Sequence, residues 1–203
     1  MAIRSIAAGA ALLLAAGLLA AGAAVAADQP TPKRWAWMED TIWYVPPQNL
    51  PAILTSADSR KVVRLIDQTV YSIDGYAEGY FWGVVRTQIM PAGTSLPADP
   101  SDSPNCHRLV GSVTPQGALN LSFTPFDDEG DQTTGIGTMR RFEGEWTMEN
   151  QMTTGTSAQI THWAYMKYCA KGERCPLPAI KGTARAFLAP CKKELGSDEA
   201  QSP

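Results

Sequence analysis

The chain has 203 residues, with 17 basic and 20 acidic side chains and a net charge of −3. That balance excludes the basic footprint that a nucleic acid or an anionic membrane surface requires. At 44% hydrophobic residues, with six tryptophans, the composition is that of a globular domain able to bury a core.

The first element in chain order is a leader. Arg4 is the only charge before Asp28, and the residues between are almost all Ala, Leu, Gly, Val and Ile, closing on Ala24-Val25-Ala26-Ala27. A positive start, an apolar middle and a small-residue end predict a signal peptide over residues 1–26. An uncleaved anchor is the competing reading, since the stretch reaches the ~20 residues that span a bilayer. Its alanine richness points to a bacterial exporter, and so to a periplasmic or secreted protein. Cleavage would leave one domain of about 177 residues carrying about −4, with no stable membrane insertion.

Residues 27–40 are expected to be a flexible segment, with Trp35 and Trp37 exposed to a partner. Pro46, Pro47 and Pro51 keep the next stretch extended or turning. Residues 56–65 suit either a short helix capped by Ser56 or a strand. From Gln68 the strand signals recur: 68–74, 80–89, 108–113 paired with 118–123 across Pro115-Gln116-Gly117, 135–143 paired with 146–153 across Gly144, and 159–168. Residues 91–104 and 127–131 read as loops, and 74–79 as a turn. Gly83, inside a strand, predicts a bulge or the close approach of another backbone.

With 41–45, these make about eight strands joined by short turns, the pattern of an antiparallel meander. The fold class is therefore all-β: a small up-and-down, calycin-like barrel or alternatively a β-sandwich, over residues 41–192. Residues 183–188 read as a ninth strand or a helical turn, and 193–203 as a disordered tail.

Four cysteines lie beyond the leader, and an oxidising compartment turns four thiols into two disulfides. The first choice pairs Cys169 with Cys175 and Cys106 with Cys191; the runner-up pairs Cys106 with Cys169 and Cys175 with Cys191. Either would pin a Pro-rich C-terminal segment over a barrel end or edge. The cysteine spacing fits zinc poorly, and no metal or other cofactor is expected.

No nucleophile elbow, H-E-x-x-H, phosphate loop or dinucleotide fingerprint occurs. His162 shares a strand face with Ile160, Ala164 and Met166, so an inward face makes it a lumenal ligand contact or proton carrier. His107 adjoins Cys106. Arg86 shares a face with Trp82, and Arg140 with Ile136 and Phe142; an arginine among aromatics inside a barrel would hold an anionic ligand. The candidate ligand residues are thus Trp82, Arg86, Arg140 and His162. The tryptophans and tyrosines are weighed as lining for an apolar or sugar ligand against a plain core role.

Glu143, Glu145 and Glu149 crowd one hairpin, as a hydrolase's carboxylate pair would, though charged strand residues usually face water. Residues 127–131 offer oxygens for calcium without the spacing of an EF-hand. Asn120-Leu121-Ser122 matches a glycosylation sequon within a strand. Gly144-Glu145-Trp146 has the G-x-W form seen near the first strand of lipocalins, but it lies late in the chain, spans three residues and carries no family assignment.

The leading functional expectation is an exported, monomeric, non-enzymatic binding protein for a small apolar or aromatic ligand or a protein partner. The alternatives are a secreted hydrolase using carboxylates or His162, and an envelope interaction module or protein inhibitor. An open apolar lumen would favour binding. A cleft gathering Glu149, Asp74 or His162 would favour catalysis, and a filled barrel with Trp35 and Trp37 exposed would favour the interaction module.

Overall fold

The computed structural model describes residues 32–56, 61–94, 105–126, 131–155, 158–177, 180 and 182–199. The expected signal peptide and most of the acidic loop 127–131 lie outside the described residues. Nine strands form one antiparallel sheet: β1 (Thr41–Tyr44), β2 (Pro51–Ser56), β3 (Val62–Ala77), β4 (Tyr80–Pro91), β5 (Asn105–Val113), β6 (Ala118–Pro125), β7 (Thr133–Phe142), β8 (Glu145–Thr154) and β9 (Ala158–Cys169). From β3 to β9 each strand pairs with the next. The ends then meet, because β1 and β2 each pair with both β3 and β9. The sheet is therefore a closed barrel, and the sandwich alternative falls away.

β1 and β2 together make the eighth stave. Thr41 to Tyr44 run along Ile73 to Val70, and Pro51 to Thr55 continue along Ile66 to Val62. Between them the chain leaves the wall as a 3-10 turn, Pro47–Asn49, preceded by Pro46. Consecutive prolines supply no N–H to a ladder, which is why the stave breaks there. The break is stitched by Val45 N–H to Thr69 C=O at 3.0 Å, Asp67 N–H to Leu50 C=O at 2.8 Å, and the Gln68 amide to Val45 C=O at 3.0 Å.

Turn chemistry sets the hairpins. Glu78-Gly79 and Glu143-Gly144 both have positive φ at both residues, the type I′ pattern that matches strand twist. The strand β3 is longer than expected. It runs through the region anticipated as a turn to Ala77, with a register shift between Ile73 and Gly75. Gly83 lies opposite that irregularity, and a Cβ there would overlap the Ser72 carbonyl. Close backbone approach is thus its role.

Period-two alternation sends Tyr71, Ile73, Phe81, Val85, Leu109, Leu121, Phe123, Met148, Met152 and Met166 inward as one core. Burying each such large side chain contributes about 1.5–3 kcal/mol. Residues 32–38, expected to be flexible, form a 3-10 helix across one barrel end. Trp35, expected to be exposed, is 2% accessible and donates its indole N–H to Thr114 C=O at 2.9 Å. Trp37 stacks on Trp146 at 5.7 Å and meets Tyr168 edge-on at 5.6 Å. This aromatic plug buries more apolar area than an exposed segment would, and that overrides the weak local pattern.

Of the two readings of residues 183–188, the helical one holds: they open the helix α1 (Ala184–Glu199), which continues through residues 193–199 where a disordered tail was expected. Thr183 caps it, its hydroxyl accepting the Ala186 N–H at 3.2 Å. Ala184, Phe187, Leu188 and Cys191 recur at helical spacing and are buried against Ile42, Val70 and neighbours on the outer wall. The C-terminal segment thus covers the side of the barrel, over β1, β3 and β4, rather than an end. Disulfides Cys106–Cys191 and Cys169–Cys175 hold it.

Candidate functional site

The lumen is closed at one end by the tryptophan plug and filled along its length. At the other end a cavity of about 40 Å³ remains, lined by both apolar and polar side chains. That is room for water, and far below the roughly 300 Å³ at which small-molecule pockets begin. Asp67, Thr69, Thr87, His107 and His162 line it.

These groups form an ordered network. Thr69 and Thr87 each donate a hydroxyl to Asp67 Oδ1 at 2.6 Å. His162 Nδ1 is 3.1 Å from Asp67 Oδ2, and its Nε2 is 2.6 Å from the Asn49 carbonyl oxygen. Both partners of the imidazole are acceptors, so the geometry is that of an imidazolium donating from both nitrogens. Burial by itself depresses the imidazole, but Asp67 and the Asn49 carbonyl outweigh it and raise its pKa above 6.5. Burial likewise favours protonated Asp67, yet His162, Thr69 and Thr87 together hold its pKa below 3.8. Neither imidazole nitrogen faces a hydroxyl, so the arrangement lacks the nucleophile–base contact of a triad.

The other candidate residues are not brought to His162. Trp82 is on the outer wall and half exposed. Arg86 is on the same outward face but lies beneath α1, where Nη1 donates to Phe187 C=O at 2.7 Å and the guanidinium stacks 4.5 Å over the Phe187 ring. It anchors the helix. Arg140 is outside, paired with Glu149 at 2.9 Å. The sequence placed these side chains on the right strand faces; those faces point away from the lumen. Asp74 is bound by Lys192 at 2.7 Å. Cys169, Glu173 and Cys175 lie together, but both thiols are consumed in their disulfide.

Two recesses lie on the outside. The Pro46–Asn49 protrusion and the β7–β8 turn wall a groove of about 330 Å³. Phe142, Trp146, Tyr165 and Tyr168 give it four aromatic rings; Gln48, Glu145 and Lys167 are among its polar lining. On the far side of the protrusion a second, more open recess of about 420 Å³ is lined by Gln48, Asn49, Ile53, Thr161 and Trp163. A row of rings connects them: Phe142 stacks on Tyr165 at 6.2 Å, and Tyr165 meets Trp163 edge-on at 5.2 Å. Phe142 is 59% and Trp163 49% exposed.

This groove was not singled out from sequence. Alternation did separate Trp163, Tyr165 and Lys167 from the His162 face. It could not show that a proline-broken stave about 115 residues earlier in the chain would build a wall beside them.

Comparison with protein-family models, with curated proteins and with solved structures finds no match to this chain.

Proposed function

We propose that this is an exported, non-enzymatic binding protein that takes an extended, neutral saccharide on the outer face of its barrel. The observation that carries this reading is the exposed Phe142–Tyr165–Trp163 row joining two recesses. Exposed aromatic surface costs solubility and marks interaction sites. The chemistry around it narrows the ligand. Carboxylates from Glu143 and Glu145, the ammonium of Lys167, the amide of Gln48 and the hydroxyl of Thr147 surround the rings. A purely apolar ligand would desolvate those polar groups without replacing their hydrogen bonds. An anionic ligand would be opposed by the two carboxylates, which outnumber the one ammonium. A sugar offers an apolar ring face for stacking and neutral hydroxyls for both donors and acceptors.

Export is supported by the leader-like residues 1–26 and by the two disulfides. Among the described residues no helix is long and apolar enough to cross a membrane. The test is titration of ¹⁵N-labelled protein with neutral β-linked hexasaccharides, reading the Trp163 indole and the Tyr165 amide. Shifts confined to the groove, abolished in Tyr165→Ala, are expected. Silence across a broad neutral glycan panel, with shifts instead from a hydrophobic peptide or a small aromatic compound, would overturn the saccharide assignment.

A further inference from the structure

The lumen network and the outer grooves are not independent, because one residue, Asn49, belongs to both. Asn49 lines the two recesses with its neighbour Gln48, and its carbonyl oxygen is the acceptor 2.6 Å from His162 Nε2. The protrusion that walls both grooves is therefore tied back into the barrel by an imidazole that is 2% exposed. We propose that His162 is a proton-operated latch: as imidazolium it bridges Asp67 to the Asn49 carbonyl and holds the Pro47–Asn49 turn as the shared groove wall, and loss of one proton releases that turn.

The direction follows from the partners. A neutral imidazole keeps one N–H and must choose between a buried carboxylate and a carbonyl. The carboxylate is charged and is the stronger acceptor, so the remaining proton stays on Nδ1 facing Asp67. The Nε2 lone pair then points at the Asn49 carbonyl oxygen, and an attraction becomes a repulsion between two acceptors. Val45 and Leu50, both buried in the core and hydrogen-bonded to β3, fix the two ends of the protrusion, so release concerns the Pro47–Asn49 segment between them. Its own bonds are Asn49 N–H to Pro46 C=O at 2.9 Å and Leu50 N–H to Pro47 C=O at 3.4 Å, and these stay within the protrusion. Residues 163–166 of β9 have no strand partner on the turn's side, because pairing with β2 ends at His162 and pairing with β1 begins at Lys167.

The titratable groups around the latch are few. Asp67 and Tyr71 face the cavity from β3 and His107 from β5; β4 contributes Thr87, and β8 contributes Met152 and Thr154. Tyr71 stays neutral, since burial and the Asp67 charge push its pKa well above 10. His107 is the one other imidazole, so the experiment must separate the two.

This inference rests on the groove reading for its consequence, though its physical basis can be tested without a ligand. Full-length ¹⁵N-labelled protein is titrated from about pH 5 to pH 9, across the range in which imidazoles change charge, with His107→Gln used to assign the two rings. Both His162 nitrogens are expected to carry protons at the acidic end, and only Nδ1 at the basic end. The Gln48, Asn49 and Leu50 amides should move with the same midpoint. In Asp67→Asn that midpoint should fall by a pH unit or more, a tenfold loss of proton affinity. If that variant does not fold, the wild-type titration decides alone.

Two results would overturn the latch: a His162 neutral at pH 5, or amides of residues 48–50 that ignore its titration. A neutral β-linked hexasaccharide is then added on either side of the midpoint. Binding weaker by fivefold or more above it, the low end of ordinary coupling between sites, supports the regulatory role. Equal binding on both sides overturns that role. No binding on either side counts against the saccharide reading, and the amide titration still judges the latch.

Discussion

Asp67 and His162 are 95 residues apart and stand on staves that do not pair with each other, yet their side chains meet at 3.1 Å through the barrel lumen. They can do so because the stave between them is interrupted. Asp67 also accepts from Thr69 and Thr87, so the carboxylate and the imidazole both have hydrogen-bonding partners while buried.

Truncating one member strands the other. Asp67→Ala or His162→Ala should lower the unfolding free energy by about 3–5 kcal/mol, because an uncompensated buried charge remains. Replacing both by apolar residues should cost less than the two single losses combined. Urea denaturation of the three variants measures this. A single variant within about 1 kcal/mol of the parent would mean the pair contributes no more than an exposed one.

The same pair sets a pH optimum. His162 has its folded pKa raised above 6.5, so its contribution is complete below that value and is lost as pH rises through the folded pKa. Asp67 has its folded pKa lowered below 3.8, so its contribution is present above that value and is lost as pH falls through the folded pKa. Thermal stability should therefore be highest in the mildly acidic range and decline toward pH 9. Melting temperatures across that range test the slope, which Asp67→Asn should flatten. A melting point that climbs steadily to pH 9 contradicts the assignment.

The two disulfides should differ in worth. Cys106–Cys191 closes a loop with a separation of 85 residues and Cys169–Cys175 one of 6. Loop-closure entropy assigns about 4–5 kcal/mol to the first and about 2 kcal/mol to the second. Replacing Cys106 and Cys191 by Ala should also loosen α1 and open the Arg86–Phe187 contact to solvent. Amide exchange in α1, compared with that of the parent, reads this directly. Equal losses from the two bridges would point to an origin other than chain entropy.

Tyr165→Ala should remove the middle ring of the outer row with little effect on stability, since that side chain is not part of the core. Saccharide affinity should fall by tenfold or more, equivalent to about 1.4 kcal/mol. Calorimetry alongside a thermal melt separates lost binding from lost fold. Unchanged affinity would move the site away from the row.

Gly83→Ala should be among the most damaging single-methyl changes in the chain. The added Cβ would overlap the Ser72 carbonyl, which is backbone and cannot rotate aside. A loss of about 3 kcal/mol or more is expected, whereas an added methyl at Gly196 meets no neighbour in reach and no unfavourable φ. Chemical denaturation of both variants makes the comparison.

Much of the wall was legible in the residues. Alternation set His162 with Ala164 and Met166 on one face and Trp163 with Tyr165 on the other; the structure turns the first of these inward. The hairpin across Gly144 formed as expected, with Glu143 sharing the turn. The plug and the helix were not legible. Trp35 and Trp37 belong to a segment with no strand period, and their burial depends on Trp146 and Tyr168 arriving from distant strands. The face shared by Trp82 and Arg86 was correctly grouped, but alternation separates two faces without saying which is inside.

The sequence by itself determined an all-β antiparallel chain, most of its hairpin turns, the division of each strand into two faces, and cysteines spaced for two bridges. These are local consequences of side-chain period, proline and glycine. Tertiary structure alone decided that the sheet closes, that a tryptophan plug fills one end, and that a broken eighth stave joins Asp67, His162 and Asn49. Each depends on groups far apart in the chain meeting in a buried lumen, where hydrogen bonding and charge gain a strength that no local pattern encodes.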